Sequence, residues 1–78
     1  MKVKELLKVL SKDIKVAISY TFGKGYEVGQ DYPPFIDEMD VTYVTNSSKD
    51  YDLVIHIDQS DYLQKLEEYN DMEDVEYV

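Results

Sequence analysis

The sequence predicts an α+β fold, in which an antiparallel sheet of three to four strands carries two helices packed on one face. Three observations predict it. Apolar residues recur at helical spacing near both ends of the chain, and they alternate with polar residues in the segments between. Clusters of Gly, Pro, Asn and Ser separate these segments. A chain of 78 residues has room for one core, so we expect a single domain over residues 1–78.

The first half of the chain predicts one helix and a hairpin. The apolar positions of the helix recur every three or four residues: Val3, Leu6, Leu7 and Leu10. They predict a helix over about residues 2–12. The apolar period then becomes two, which predicts a strand over 14–22. A glycine-rich turn at 23–25 leads into a short return strand at 26–28. Residues 31–35 contain two prolines and predict an irregular loop.

The second half predicts two strands that are joined by a turn. We expect a strand over 40–45, because Asp40 is followed by five residues that are β-branched or aromatic. Residues 46–50 are rich in side chains that bond their own backbone, and they predict a turn. Residues 51–57 alternate again and predict a strand whose odd-numbered positions face the core.

A second helix follows this strand. Asp58 or Ser60 is expected to cap it, and it continues to about Asn70. Its buried side is predicted to consist of Tyr62, Leu63, Leu66 and Tyr69. The last segment, Met72–Val78, alternates weakly and predicts a short final edge strand.

The charge of the chain is divided between its two parts. From Met1 to Gly25, six lysines oppose two carboxylates, a balance of +4. From Tyr26 to Val78, fifteen carboxylates oppose two lysines, a balance of −13, and the sum is −9. Such a field attracts positive partners and repels nucleic acid and anionic membranes. We therefore expect the partner to be a basic protein surface.

Two groups of side chains are candidates for binding this partner. On the second helix the carboxylates lie opposite the apolar side and continue toward the C-terminus: Asp61, Glu67, Glu68, Asp71, Glu73 and Asp74. A second acidic group, beside the two prolines, combines carboxylates with an aromatic ring: Asp37, Glu38, Asp40 and Tyr32. The competing interpretation of both groups is a solvated surface without a partner.

No pattern in the chain indicates catalysis. There is no cysteine, and no serine has a base and an orienting acid nearby in sequence. His56 lies near Asp52 and Asp58, but one imidazole and two carboxylates without a known spacing make a poor metal signature. We therefore expect no enzymatic activity, no cofactor and no metal.

Residues 2–18, KVKELLKVLSKDIKVAI, resemble the openings of small proteins that phages and mobile elements of AT-rich bacteria encode. With the acidic stretch Asp58–Glu76 and the lack of cysteine, the whole chain resembles phage anti-defence proteins of the anti-CRISPR and anti-restriction type. The resemblance is one of general character and carries no shared motif. It implies a cytoplasmic inhibitor, acting in a bacterial host cell by occupying the basic nucleic-acid groove of a CRISPR nuclease or similar defence enzyme. The alternative hypothesis is a small phage accessory protein that self-associates.

Overall fold

A computed structural model describes residues 1–46 and 48–76 of the chain, with side chains as far as Asp71. It shows the α+β class that the sequence predicts. The elements occur in the following order: α1 (Val3–Val9), β1 (Val16–Thr21), β2 (Lys24–Glu27), a 3₁₀ helix (Pro34–Glu38), β3 (Val41–Thr45), β4 (Leu53–Ile57) and α2 (Gln59–Glu76).

The four strands form one mixed sheet in the order β2-β1-β4-β3. The β1–β2 and β3–β4 pairs are antiparallel, but β1 and β4 run parallel, with Ile18 opposite Ile55. The prediction of a purely antiparallel sheet is wrong in this respect. After β2 the chain crosses to the far edge of the sheet, and β4 then returns between β3 and β1. The most apolar strands take the centre, where both of their edges are paired and their core faces are buried.

Several predicted boundaries shift. Helix α1 ends at Val9 rather than near residue 12, and the 3₁₀ helix begins inside the loop predicted at 31–35. Proline at the start of a helix costs no backbone hydrogen bond, which explains why the 3₁₀ helix begins at Pro34. The edge strand predicted for Met72–Val78 is wrong over 72–76, where α2 continues, and residues 77–78 lie outside the described part of the chain.

The β1–β2 hairpin is tighter than the alternating pattern suggests. Phe22, the last apolar residue of the predicted strand, lies in the turn and is fully exposed. Gly25 packs so closely against β1 that a Cβ atom there would lie 2.0 Å from the carbonyl oxygen of Ile18. Only glycine fits this position, because no side chain carbon can approach a backbone oxygen so closely.

The helices cover one face of the sheet and enclose the core between the two layers. The buried core side chains come from α1, β1, the 3₁₀ helix and the residue that follows it, β4 and α2: Val3, Val16, Ile18, Ile36, Met39, Ile55, Ile57 and Tyr62. Ile36 belongs to the 3₁₀ helix and is fully buried, so this short segment is part of the core and not a surface loop.

Aromatic side chains hold α2 on this layer. Tyr62 is only 3% exposed, and its ring stacks on Tyr20 with centroids 4.0 Å apart. Its hydroxyl group is hydrogen-bonded to that of Tyr26, and Phe35 contacts both Tyr62 and Tyr69. The predicted buried side of α2 is therefore correct at Tyr62, Leu66 and Tyr69, of which the latter two are half-buried. It is wrong at Leu63, which is 50% exposed.

Candidate protein-binding surface

Helix α2 begins at a well-defined cap. The Asp58 carboxylate accepts a hydrogen bond of 2.9 Å from the backbone N–H of Asp61, and the Asp58 carbonyl accepts one of 2.9 Å from Tyr62. These contacts satisfy backbone donors that the first turn of a helix leaves unpaired. Of the two caps that the sequence suggests, Asp58 fills the role. The cap and the aromatic contacts together fix the direction of the helix.

The four predicted carboxylates with described side chains all lie on the outer side of α2, and all are exposed: Asp61, Glu67, Glu68 and Asp71. Among the described residues, none of these carboxylates forms an ion pair or a side-chain hydrogen bond. The only basic residue of the helix is Lys65. The predicted sites Glu73 and Asp74 fall on the α2 backbone beyond the described side chains. We call the four described residues the α2 acidic face.

The second predicted group has a different environment. Asp37 is half-buried, and its carboxylate accepts a 2.8 Å hydrogen bond from the Tyr32 hydroxyl. Burial, with the hydrogen bond to Asp37, raises the pKa of Tyr32 to about 12. Tyr32, which the sequence suggested as a contact residue, also packs against Tyr26 with its ring tilted by 41° and belongs to the aromatic cluster. Both side chains are therefore already engaged within the fold.

Glu38 is paired with α1. Its carboxylate lies 2.6 Å from the Lys4 ammonium group, and its carbonyl accepts a 3.0 Å hydrogen bond from Lys2. The hydrogen bond and the charge of Lys4 lower the pKa of Glu38, and the same contact raises the pKa of Lys4. Asp40 is exposed, and its backbone pairs with Lys2 in an isolated antiparallel bridge. Part of the basic N-terminal segment thus neutralises Glu38, whereas no ion pair involves the Asp40 carboxylate among the described residues.

The 3₁₀ helix has contacts on two sides, with α2 and with α1. Phe35 of the 3₁₀ helix faces α2 through Tyr69, while Glu38 of the same short helix faces α1 through Lys4. The two groups therefore differ in their degree of internal neutralisation among the described residues.

The sheet face away from the helices carries a feature that the sequence did not reveal. The rings of Tyr43 and His56 stack with centroids 4.2 Å apart, and Nε2 of His56 lies 2.9 Å from the Thr45 hydroxyl. Burial lowers the pKa of His56. Tyr43, Thr45 and His56 line a shallow groove of about 730 Å³ that runs between the β1–β2 turn and Tyr51. The lack of charged residues in 41–45 was the one sequence feature that could have indicated this surface. That Tyr43 and Thr45 lie beside His56 follows only from the pairing of β3 with β4 in the tertiary structure.

The residues considered for a metal site have other partners. Asp52 accepts a 2.8 Å hydrogen bond from the Lys15 backbone N–H, Asp58 caps α2, and His56 is bonded to Thr45. In the part of the chain that the structure describes, no three His, Asp or Glu side chains are grouped to hold a metal ion. Nor, among these residues, is there a helix with the length and hydropathy to cross a membrane.

Comparisons of the chain with models of protein families, with curated proteins and with solved structures found no match. The surfaces described above are therefore the available indication of function. The α2 acidic face is the strongest of them, since it combines high charge, a fixed backbone and carboxylates without partners among the described residues.

Proposed function

We propose that this protein is a non-catalytic inhibitor that binds the basic nucleic-acid groove of a host defence enzyme, such as a CRISPR nuclease, through the α2 acidic face. The observation that carries the proposal is the row of exposed carboxylates along one side of α2, none of which is neutralised by another described residue. In this proposal a phage encodes the protein, and the protein acts in the bacterial cytoplasm. The general resemblance to anti-defence proteins supports this setting.

The geometry of a helix suits the proposed mimicry. Side chains three or four positions apart on a helix lie about 5–6 Å from one another. This distance is close to the separation of successive phosphates along a nucleic-acid strand. Glu67 and Asp71 lie four positions apart along α2, and Glu68 and Asp71 lie three apart. A groove lined by lysine and arginine can therefore pair with these carboxylates in place of a phosphate backbone.

The net negative charge of the chain favours rapid binding to a basic groove. A net charge of −9 steers the protein toward a positive groove, and steering of this kind raises the association rate at low ionic strength. Screening over about 10 Å at 0.1 M salt reduces the effect. The lysines of α1 would be repelled by a basic groove, and this repulsion is weakest when α1 faces away from the groove. The charge of Lys4 is already balanced by its ion pair with Glu38. We therefore expect an association rate that falls steeply with salt.

The test is a pull-down of the tagged protein from nuclease-treated bacterial lysate at low salt, eluted with a salt gradient and identified by mass spectrometry. The recovered enzyme is then assayed for binding to its own DNA or RNA with and without the inhibitor. Competition between nucleic acid and inhibitor is the expected result. An enzyme that binds both at once would place the inhibitor outside the groove and contradict the mimicry.

Two variants with equal charge changes locate the binding surface. Glu67→Lys with Glu68→Lys alters the α2 acidic face, and Glu38→Lys with Asp40→Lys alters the other acidic group; each pair changes the net charge by four units, from −9 to −5. Each charge pair lost across an interface costs on the order of 1.5 kcal/mol or more. We expect the first variant to weaken binding by ~100-fold and the second by a few-fold. Equal losses would show that net charge, and not the α2 acidic face, determines binding.

A further inference from the structure

Strand β3 lies at one edge of the sheet and carries neither charge nor proline in its five residues, VTYVT, although its pairing with β4 is irregular between Val41 and Tyr43. At the opposite edge, β2 carries Lys24 and Glu27. Charged side chains and prolines on edge strands prevent pairing with other chains, so an uncharged edge favours it. This is notable in a protein of which 32% of the residues are charged.

The exposed side chains of β3 lie on both faces of the sheet. Tyr43 is 59% exposed on the open face, and Val44 is 46% exposed on the face that the helices cover elsewhere. Neighbouring residues of a strand point to opposite faces, so an added strand would contact one apolar side chain on each. Stacking on His56 fixes the orientation of the Tyr43 ring before any partner arrives.

The first part of this edge is already occupied. The N–H of Val41 donates a 2.8 Å hydrogen bond to the carbonyl of Met1, and the N–H of Val3 donates one of 2.9 Å to Met39. Val41 is paired with Ile57 on its other side, so the Met1 segment lies along the outer edge of β3. The open edge consequently begins after Val41. It is short, and a partner strand has to pair with residues 42–45.

We propose that this edge pairs with the same edge of a second copy, β3 against β3 in antiparallel orientation. Two sheets of four strands would then become one continuous sheet about a two-fold axis. Exposed Asp40 precedes β3, and exposed Lys49 lies in the turn after it, beside Asp50. Antiparallel pairing separates the two Asp40 carboxylates and brings each toward Lys49 of the second copy. Parallel pairing would place the two Asp40 residues side by side.

Two copies can pair through β3 despite their large negative charge, because α2 lies far from this edge. Helix α2 packs on β1 and the 3₁₀ helix, two strands away from the β3 edge. In the dimer, five strand spacings of about 4.8 Å separate the two β1 strands, roughly 24 Å in all. This distance exceeds the screening length of about 8 Å at physiological salt. Both α2 acidic faces would remain free, and the dimer would present two copies of the surface described above.

The interface is small, so the dimer is reversible and forms at high concentration. Pairing of four residues buries less than the ~1,200 Å² that stable complexes usually bury. Two chains of charge −9 also repel each other. Salt screens this repulsion and is expected to strengthen the dimer, whereas it weakens binding to a basic target. The opposite salt dependence separates this contact from the proposed inhibitory one.

The test is sedimentation equilibrium of the full chain from low micromolar to millimolar concentration, at low and at high salt. We expect a dimer whose fraction rises with concentration and with salt. Val44→Lys places two lysines near the two-fold axis and is expected to raise the dissociation constant at least ~10-fold. Leu63→Lys is the matched control, because Leu63 is similarly exposed but lies on α2. It is expected to dimerise as the original chain does.

A second measurement does not depend on any variant. Hydrogen exchange of the backbone amides in β3 is expected to slow as concentration rises, while exchange in the β2 edge stays constant. A monomer at all concentrations would overturn the proposal, as would a dimer that Val44→Lys leaves intact. A dimer that salt dissociates would instead indicate contact between the lysines of α1 and the carboxylates of α2.

Discussion

The two acidic surfaces of this protein have similar compositions and different roles in the fold. At residues 37–40, Asp37 accepts a hydrogen bond from Tyr32, and Glu38 is paired with Lys4. On α2, the four described carboxylates project into solvent without such partners among the described residues. The first group therefore contributes to the stability of the domain. The second contributes charge that remains available to another molecule.

The comparison shows that a count of carboxylates does not identify a binding surface. A carboxylate already bonded to a lysine has to break that contact before it can bind a partner, and the exchange gains little free energy. Exposed ion pairs contribute only about 0.2–1 kcal/mol each, but a bond to a half-buried hydroxyl contributes more. Internal neutralisation is thus the property that separates the two surfaces. Three experiments test how the fold supports or engages each of them.

The largest effect is expected from Tyr62→Ala, which removes the support of the α2 acidic face. Tyr62 is buried, stacks on Tyr20 and is bonded to Tyr26, so its truncation is expected to cost about 3–5 kcal/mol of unfolding free energy. This is much of the stability of a small domain. Urea unfolding measures it. Leu63→Ala, on the exposed side of the same helix, is the control, with an expected loss below about 1 kcal/mol.

An intermediate effect is expected when equivalent carboxylates are removed from the two surfaces. Asp37→Ala leaves the half-buried Tyr32 hydroxyl without its acceptor and is expected to cost about 1.5–3 kcal/mol. Asp71→Ala on α2 is expected to change the unfolding free energy by less than about 0.5 kcal/mol. Urea unfolding of the two variants under identical conditions gives the comparison. Equal losses would mean that the α2 acidic face also stabilises the fold.

The smallest effect is expected in alkaline solution. The pKa of Tyr32 is raised from 10.0 to about 12, because burial and the bond to Asp37 favour the neutral phenol in the folded chain. This contribution is complete below the unfolded pKa and is lost as the pH rises through the folded one. Unfolding free energy should therefore fall between about pH 10 and pH 12. Burial also raises the pKa of Tyr62, which acts in the same direction.

The variant Tyr32→Phe isolates the contribution of Tyr32. It lacks the titrating hydroxyl, so its unfolding free energy should decline less over the same pH interval than that of the original chain. Urea unfolding at several pH values, with absorbance of the tyrosinate to follow ionisation, provides the measurement. Parallel declines in both proteins would assign the effect to other tyrosines and remove the argument that Asp37 is engaged.

Local patterns predicted the elements more reliably than their ends and partners. The period of three to four correctly identified both α-helices, and alternation, residue type and turn signals identified the four strands, whereas the 3₁₀ helix was predicted as an irregular loop. The continuation of α2 through Glu76 was missed, since weak alternation after Asn70 is compatible with either structure. Leu63 was assigned to the core because it is apolar, yet the aromatic contacts of Tyr62 and Tyr69 set the rotation of the helix and turn Leu63 outward.

The candidate surfaces were also predictable only in part. Helical spacing alone placed the α2 carboxylates opposite Tyr62, and the structure places them on the outer side of the helix. The partner of Glu38 could not be predicted, because Lys4 meets it only once the 3₁₀ helix packs beside α1. The partner of Asp37 depends on the local 3₁₀ turn, which brings Tyr32, five residues earlier, to its carboxylate and which the sequence analysis did not predict. The open edge of β3 required the strand order.

The sequence by itself determined the α+β class, the charge division, and the acidic and apolar sides of α2, because these depend on residue identity and on spacing within single elements. The tertiary structure alone decided that β1 and β4 run parallel, that Lys4 neutralises Glu38, and that Tyr43 and Val44 lie on a free edge. These features depend on contacts between segments distant in the chain. Such contacts follow from how the core packs as a whole, and no local period encodes them.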